Sequence, residues 1–235
     1  MARLRVLVGA ILAAALVLAF AAAPASASGG ATARVRAFHD SPDTPPVDIY
    51  VNGQKALAGV GYGNLSDYLR VPRGTYHVQV KVAPSTASDP AAPAADVRLG
   101  SRPTTIAAIG SLTGDGAPLQ LKVLRDRDTY SRYLTRLRVA HTSPDAPAVD
   151  IQAKLAGRWI PVVRNLEFGE ASGYLLLPAW TYRLRIVVAA GTNTVVKDLG
   201  RVRLRGSTSY TAWAVGFLTP TGDYPGFDVF VSKDG

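Results

Sequence analysis

Apolar and polar residues alternate along much of the chain, and this is the period of a β-strand with one buried face. The clearest run is 76–82, where a tyrosine and three valines alternate with His77, Gln79 and Lys81. The stretch 182–186 repeats the pattern with arginines between the apolar residues. Asn52-Gly53 follows the apolar segment 47–51 and is typical of a tight hairpin turn. No stretch after residue 30 carries a convincing helical stripe, so the pattern predicts an all-β protein.

Blocks of sequence occur twice, in the same order. The segment 39–49 recurs at 141–151 with eight of eleven positions identical, at a spacing of 102 residues. The segments 62–76 and 106–112 recur at 168–182 and 212–218, at a spacing of 106. Because the spacing changes from 102 to 106, the connection between the first and second blocks is four residues longer in the second copy. The chain is therefore predicted to be a tandem duplication.

Short strands in a repeating unit of about 100 residues predict two tandem immunoglobulin-like antiparallel β-sandwich domains after an N-terminal signal peptide. The predicted parts are a signal peptide at 1–27, a first repeat at 31–125, a linker at 126–133 and a second repeat at 134–235. The segment 84–94, rich in Ala, Pro and Ser, is predicted to be a mobile loop.

The start of the chain resembles an export signal. Arg3 and Arg5 precede the apolar run 6–23, which is followed by Ala25-Ser26-Ala27. This order is typical of a secretory signal peptide cleaved after Ala27. An uncleaved membrane anchor is the alternative, because the run is at the lower limit for spanning a bilayer. With the signal removed, no later segment is long and apolar enough to span, and we expect a secreted, extracellular protein, free or associated with the cell wall.

The amino-acid composition limits the kinds of metal, redox and catalytic sites that the chain can form. The absence of cysteine excludes disulfide scaffolds, cysteine-ligated zinc, iron–sulfur clusters and thiol nucleophiles. Three histidines argue against a multi-histidine metal centre, and no cofactor is predicted. The formal net charge is +9. For an exported chain this charge favours an anionic cell-wall polymer, or another envelope protein, as the partner rather than nucleic acid.

The repeated motif contains a polar cluster that resembles hydrolase machinery. Its members are His39, Asp43 and Asp48, with the copies His141, Asp145 and Asp150. Ser41 precedes a proline, which holds the serine backbone extended and removes the next backbone donor, so it makes a poor nucleophile. A structural turn is the preferred interpretation. A cation site built on Asp43 and Asp48, and a hydrolase, remain the alternatives.

The second copy offers a different candidate surface. Arginines at spacing two project from one side of a strand, so neighbouring strands of this kind would form a basic face. An ordinary solvated face is the alternative, and Arg136 and Arg138 show the same spacing. Exposed tryptophans could stack on sugars, whereas Trp213 lies in an apolar strand and is predicted to be core. The candidate ligand surface comprises Trp159, Trp180, Arg183, Arg185, Arg201, Arg203 and Arg205.

The block H-x-S-P-D-x-P-x-V-D-I, followed by Y/F-G-x-x-S-x-Y-L-x-x-P and T-Y, resembles the bacterial domain of unknown function 4397. The resemblance covers the predicted mature chain as two copies. It implies a β-sandwich and an exported or cell-surface protein, and it supplies no catalytic residues. We therefore expect an exported, non-enzymatic cell-envelope protein that acts as a structural or interaction module. A carbohydrate or anionic wall-polymer binding module and a secreted hydrolase are the alternatives.

Overall fold

The computed structural model describes residues 30–90, 93–114, 116–129, 131–189, 191 and 194–234. The predicted signal peptide, residues 1–27, lies outside these residues. The described residues form sixteen β-strands and no helix, so the all-β prediction is confirmed. Within them, accordingly, no helical segment has the length and apolarity needed to cross a membrane. The chain divides into two compact units between Asp126 and Arg127.

The first repeat is a sandwich of two four-stranded sheets, with strand orders β4-β1-β7-β8 and β3-β2-β5-β6. Its strands are β1 (Thr32–Asp40), β2 (Val47–Val51), β3 (Gln54–Val60), β4 (Leu69–Pro72), β5 (Gly74–Val82), β6 (Ala94–Leu99), β7 (Thr104–Ile109) and β8 (Gln120–Arg125).

The second repeat has the same arrangement, with strand orders β12-β9-β15-β16 and β11-β10-β13-β14. The prediction of tandem β-sandwiches is therefore confirmed. Its strands are β9 (Leu134–His141), β10 (Val149–Leu155), β11 (Arg158–Leu166), β12 (Leu175–Pro178), β13 (Thr181–Val188), β14 (Val195–Arg203), β15 (Thr208–Val215) and β16 (Asp228–Lys233).

The first strand of each repeat pairs in parallel with its seventh strand. β1 runs beside β7 from Val35 opposite Thr104 to Asp40 opposite Ile109, and β9 runs beside β15 in the same way. The other strand pairs are antiparallel, as the pattern predicts. Because parallel neighbours end at the same edge of a sheet, the turn after β1 lies beside the loop after β7. This pairing positions the polar cluster described below.

The alternation seen in the sequence generates the core of the first repeat. Val78 and Val80 of β5 are 4% and 2% exposed and pack against β6 and β7. At the end of β5 the pattern reverses, since Lys81 is 2% exposed whereas Val82 is 45% exposed. Lys81 is buried because the chain after β5 folds back over its face of the sheet.

A buried aspartate follows the last strand of the first repeat. Oδ2 of Asp126 accepts hydrogen bonds from the hydroxyls of Tyr68 (2.7 Å) and Thr105 (2.6 Å). The Arg36 guanidinium lies 3.9 Å from the same oxygen and 4.4 Å from the centre of the Tyr68 ring. Arg36 belongs to β1, so the network fastens the end of the last strand to the first strand.

The second repeat builds the same network from four residues at matching places. Oδ2 of Asp234 accepts hydrogen bonds from the hydroxyls of Tyr174 (2.8 Å) and Thr211 (2.5 Å). The Arg138 guanidinium lies 3.7 Å from that oxygen and 4.6 Å from the Tyr174 ring centre. Arg138 is 4% exposed and Asp234 is 1% exposed. Because a buried charge without its partner is costly, the network contributes to stability only as a complete unit.

We expect Asp234→Ala to lower the free energy of unfolding of the second repeat by about 3–5 kcal/mol, because it leaves Arg138 buried without a carboxylate. The matched control Asp223→Ala removes an exposed aspartate and changes it by less than about 0.5 kcal/mol. Urea unfolding followed by tryptophan fluorescence measures this repeat selectively, since all three tryptophans lie in it. Equal stability of the two variants would contradict the assignment.

Candidate functional site

The two histidines of the predicted cluster are buried at the ends of β1 and β9. His39 is 1% exposed and His141 is 0% exposed. Their Nε2 atoms donate to the carbonyl oxygens of Pro45 (3.2 Å) and Pro147 (3.0 Å). Burial lowers the pKa of both imidazoles, and the hydrogen bonds to these carbonyls oppose the shift. Each neutral imidazole therefore fastens the chain beyond the turn to the strand that precedes it.

Asp43 joins the turn after β1 to the loop after β7. Its Oδ1 accepts the backbone N–H of Leu112 (2.9 Å). Its Oδ2 accepts the Ser111 hydroxyl (2.6 Å) and both the backbone N–H (2.9 Å) and the hydroxyl (2.7 Å) of Thr113. Burial alone would raise the pKa of Asp43, but these hydrogen bonds lower it to about 2. The carboxylate thus serves as a connection between two loops that the parallel strand pair brings together.

Asp145 makes the same connection in the second repeat. Its carboxylate accepts the backbone N–H groups of Leu218 (2.6 Å) and Thr219 (2.8 Å) and the Thr219 hydroxyl (2.7 Å). Burial opposes these bonds, which nevertheless lower the pKa of Asp145.

The serines of the motif bond to the loop after the seventh strand. The hydroxyl of Ser41 donates to the carbonyl of Gly110 (2.6 Å), and that of Ser143 donates to the carbonyl of Gly216 (2.5 Å). Both serines are fully buried. This arrangement gives neither serine the imidazole partner and exposed position that a nucleophile needs.

Asp48 contacts a different part of the first repeat. Its Oδ2 accepts the Lys55 ammonium (2.6 Å) and the backbone N–H (2.9 Å) and hydroxyl (2.7 Å) of Ser85, and its Oδ1 accepts the backbone N–H of Gly59 (2.8 Å). Burial alone would raise the pKa of Asp48, but these contacts, led by the Lys55 hydrogen bond, lower it to about 2. Asp48 therefore holds β3 and the chain after β5 against β2. The imidazole of His39 forms its hydrogen bonds with the turn after β1 rather than with Asp48.

The predicted polar cluster thus separates into independent structural contacts. Asp150, the copy of Asp48, accepts the backbone N–H of Asn165 (2.8 Å). The groups around Asp43 and Asp48 are hydrogen-bond donors, whereas a cation needs oxygen ligands. Among the described residues, no group of three or more His, Asp or Glu is placed to hold a metal ion.

The arginines of the second repeat fall on two different sheets. Arg183 of β13 lies directly opposite Arg201 of β14, so both project from the same face. Arg185 and Arg203 stand two residues further along these strands and project from that face as well. Arg138 has the same spacing from Arg136 but belongs to the other sheet, where it is buried against Asp234. The same sequence spacing therefore yields a solvated face in one sheet and a buried ion pair in the other.

The outer surface of the sheet β11-β10-β13-β14 is called the basic face below. Its charged residues include Asp198, which lies opposite Arg185 in the strand register and 3.9 Å from the Arg183 guanidinium. Like charges on directly opposite residues destabilise a sheet, and Asp198 offsets only part of this repulsion. The basic face comprises Asp150, Lys154, Trp159, Arg183, Arg185, Asp198, Arg201 and Arg203.

Trp159 is half-buried on the basic face and lies close to two cations. The Arg185 guanidinium lies 4.3 Å from the centre of the Trp159 ring, and the Lys154 ammonium lies 5.7 Å from it. A cation over a tryptophan face is attracted by the ring electrons. The ring therefore helps to hold cationic side chains at the surface of the sheet.

The corresponding face of the first repeat is covered by its own chain. The eleven residues 83–93 connect β5 to β6, and the carbonyl oxygens of residues 85–87 face cationic side chains. Ser85 O accepts the Tyr50 hydroxyl (3.0 Å) and the Lys55 ammonium (2.7 Å), while the Lys81 ammonium donates to the carbonyls of residues 86 and 87 (3.2 and 2.7 Å). The described part of the segment predicted as a mobile loop is thus tied to the sheet.

Trp180 and Arg205 lie at one end of the second sandwich rather than on the sheet. Trp180 stands in the turn before β13 and is 71% exposed. The backbone N–H of Leu204 donates to its carbonyl (2.9 Å), and exposed Arg205 follows. Trp213 is fully buried, as predicted, and its Nε1 donates to the Ser232 hydroxyl (3.1 Å).

The sequence interpretation missed three residues that shape the basic face: Gln152, Lys154 and Asp198. The spacing of 102 residues between the copies would have placed Gln152 where Tyr50 stands in the first repeat. Lys154 follows two residues later and projects from the same side of β10. The sequence contains no indication of Asp198, because a β-bulge between β13 and β14 places it opposite Arg185 and the bulge could not be foreseen.

We expect the first repeat to lose stability as the pH falls from about 4 towards 2. The pKa values of Asp43 and Asp48 are about 2 in the folded chain and about 3.9 when unfolded, so the contribution of each carboxylate is complete above pH 4 and is lost as the pH falls through 2. Asp43→Asn cannot titrate, so its decline over this range is expected to be smaller than the wild-type decline by about 2 kcal/mol.

Urea unfolding at a series of pH values, followed by far-ultraviolet circular dichroism, measures this difference. The control Asp67→Asn alters an exposed carboxylate of the same repeat and should keep the wild-type slope. An Asp43→Asn slope equal to that of the wild type would show that Asp43 is not the group that titrates.

The profile of a known family confirms the resemblance found in the sequence. The profile of the family "Domain of unknown function (DUF4397)" matches residues 33–152 and 135–231. The C-terminal domain of AlgF from P. aeruginosa is 17% identical, with a TM-score of 0.28, and the match covers 44% of this chain and 99% of that one. The Bacillus anthracis TIE protein is 10% identical, with a TM-score of 0.27, and the match covers 79% of this chain and 34% of that one. No curated protein matches the chain. The chain belongs to the family of the domain of unknown function 4397, whose profile it matches twice.

Proposed function

We propose that the chain is an exported, non-enzymatic cell-envelope protein that acts as an interaction module, and that its second repeat binds an anionic wall polymer through the basic face. The observation that carries the proposal is the register that sets Arg183 directly opposite Arg201, with both side chains exposed on the outer face of the sheet. Such a pair destabilises the isolated sheet, and an anionic ligand removes the repulsion.

The geometry of the face suits a polymer with repeated negative charges. Neighbouring strands lie about 4.8 Å apart, so the cations of this four-stranded sheet lie within about 15 Å of one another across the strands. The screening length is about 8 Å at physiological ionic strength, so adjacent cations reinforce each other. A polymer engages several of them at once, and each further contact benefits from the high local concentration of the next anionic group.

The residues of the repeated motif support a non-enzymatic role. His39 and His141 bond to turn carbonyls, and Asp43 and Asp145 bond to loop N–H groups. Both copies use these groups as structural contacts. The presence of the motif is therefore accounted for by the fold, and no catalytic role is needed to explain it.

A second candidate function is supported by two exposed rings at the end of the second sandwich. Trp180 is 71% exposed and Tyr133 is 67% exposed. The backbone N–H of Ala179 donates to the carbonyl of Tyr133 (2.8 Å), which places the two segments side by side. Exposed aromatic rings of this kind mark binding surfaces, and their flat faces suit sugar rings. This pair favours a carbohydrate-binding module at the sandwich end.

We expect the purified mature chain to bind polygalacturonate, a carboxylated polysaccharide, and to bind it less tightly as salt rises. The triple variant Arg183→Gln, Arg201→Gln and Arg203→Gln is expected to bind at least tenfold more weakly and with a shallower salt dependence. Isothermal titration calorimetry at several salt concentrations measures both quantities.

The matched control removes three exposed arginines of the first repeat, through Arg70→Gln, Arg98→Gln and Arg102→Gln. This control lowers the net charge by the same amount. Equal losses of affinity in the two triple variants would therefore contradict binding at the basic face. Fully methyl-esterified polygalacturonate carries no charge and is expected not to bind. Binding that survives esterification and is lost in Trp180→Ala would favour the sandwich-end candidate instead.

Export is tested separately. We expect the chain, expressed in a bacterium with a general secretory pathway, to appear outside the cytoplasm with Ser28 as its first residue, as the Ala25-Ser26-Ala27 site predicts. Mass spectrometry of the exported protein checks the cleavage. Ala27→Leu is expected to block processing, and a full-length chain that stays in the cytoplasm would contradict export.

A further inference from the structure

The side chain of Arg185 is held in place by two neighbours on the basic face. Its Nε donates to Oε1 of Gln152 (2.8 Å), and its guanidinium lies 4.3 Å from the centre of the Trp159 ring. Gln152 lies directly opposite Arg185 in the strand register and is 5% exposed, so it is a rigid anchor. An arginine is usually free to adopt many rotamers, and fixing it beforehand reduces the entropy that binding must remove.

This arrangement leaves the outer edge of the guanidinium available. Nε is the nitrogen that Gln152 uses, and no described residue accepts a hydrogen bond from the terminal nitrogens of Arg185. These two nitrogens form a planar fork whose spacing matches the two oxygens of a carboxylate or a phosphate. Arg201 provides a comparison, because its exposed side chain has no described partner that would fix its orientation.

The first repeat shows which chemistry occupies the equivalent surface. Tyr50 and Gln79 stand opposite each other there, as Gln152 and Arg185 do in the second repeat. The segment 83–90 covers this surface and presents carbonyl oxygens to the cations beside Tyr50. In the second repeat only the six residues 189–194 connect β13 to β14, so a covering of equal length is missing from the sequence. Among the described residues of the second repeat, Arg185 has one oxygen acceptor, Gln152, whereas the first repeat supplies several carbonyl oxygens to its cations.

We propose that Arg185 forms an oxyanion subsite on the basic face, in which its terminal nitrogens bind two oxygens of one carboxylate or phosphate group of an acidic polymer. Gln152 and Trp159 are positioning residues, because they orient the guanidinium without contacting the ligand. This inference rests on the proposed function and adds to it a specific residue and a bidentate geometry.

The subsite is tested with Arg185→Lys, which keeps the charge and removes the fork. We expect its affinity to fall about tenfold, the cost of one charge-assisted hydrogen bond, while the slope of log affinity against log salt stays unchanged. Arg70→Lys is the matched control, an exposed arginine of the first repeat outside the basic face, and its affinity should stay within twofold of the wild type. Two polymers serve as probes, polygalacturonate for carboxylates and inorganic polyphosphate for phosphates.

The positioning residues have their own readout. Trp159→Leu should weaken binding several-fold at an unchanged salt slope, and Trp159→Phe should restore most of the affinity because a ring again lies under Arg185. Gln152→Leu should have an effect similar to that of Trp159→Leu. Thermal unfolding followed by the fluorescence of Trp213, which is buried, shows that each variant is folded.

The outcomes separate the subsite from the function on which it rests. A tenfold loss in Arg185→Lys on one polymer supports the subsite and identifies the oxyanion as carboxylate or phosphate, and a loss on both supports the shared chemistry. If Arg185→Lys binds like Arg70→Lys while the triple variant Arg183→Gln, Arg201→Gln and Arg203→Gln loses binding, the subsite is wrong and the basic face stands. If the wild type binds neither polymer, the proposed function fails.

Discussion

Buried carboxylates that accept hydrogen bonds from distant parts of the chain hold each repeat together. Asp43 and Asp145 connect the turn after the first strand to the loop after the seventh, and Asp126 and Asp234 fasten the end of the last strand to the first. A buried polar group without partners costs more than its hydrogen bonds contribute, so each carboxylate requires the complete set of donors around it. This requirement assigns the residues that most resemble catalytic machinery to the architecture of the sandwich.

The sandwich architecture could be predicted from the sequence because it depends on local periodicity and on duplication. Alternating residues such as Val78 and Val80 define a buried face, and the repeated blocks define two units. The parallel pairing of the first strand could not be predicted, because it joins segments about 70 residues apart through backbone groups that every residue carries. The sequence also does not distinguish buried Arg138 from Arg185 of the basic face, because each alternates with apolar residues along its strand. Only the position of Asp234, far along the chain, decides that Arg138 is buried.

The two repeats share their anchors and differ on the outer surface of one sheet. In the first repeat, the described part of the eleven-residue connection folds over that surface and supplies oxygen acceptors to Lys55 and Lys81. In the second repeat the connection has six residues, and the surface carries Trp159 and a group of arginines instead. Comparison of the two copies therefore distinguishes residues that maintain the fold from candidate residues for binding specificity. Positions common to both copies maintain the fold, and positions where the copies diverge are the place to seek specificity.

The most direct test of this account follows the three tryptophan indole N–H signals by two-dimensional NMR while polygalacturonate is added to the mature chain. Trp159 lies on the basic face, Trp180 at the sandwich end and Trp213 in the interior, so each signal reports one region. If the basic face binds the polymer, the Trp159 signal shifts saturably and the Trp180 and Trp213 signals stay unchanged. A shift of the Trp180 signal alone, or of none of the three, would contradict it.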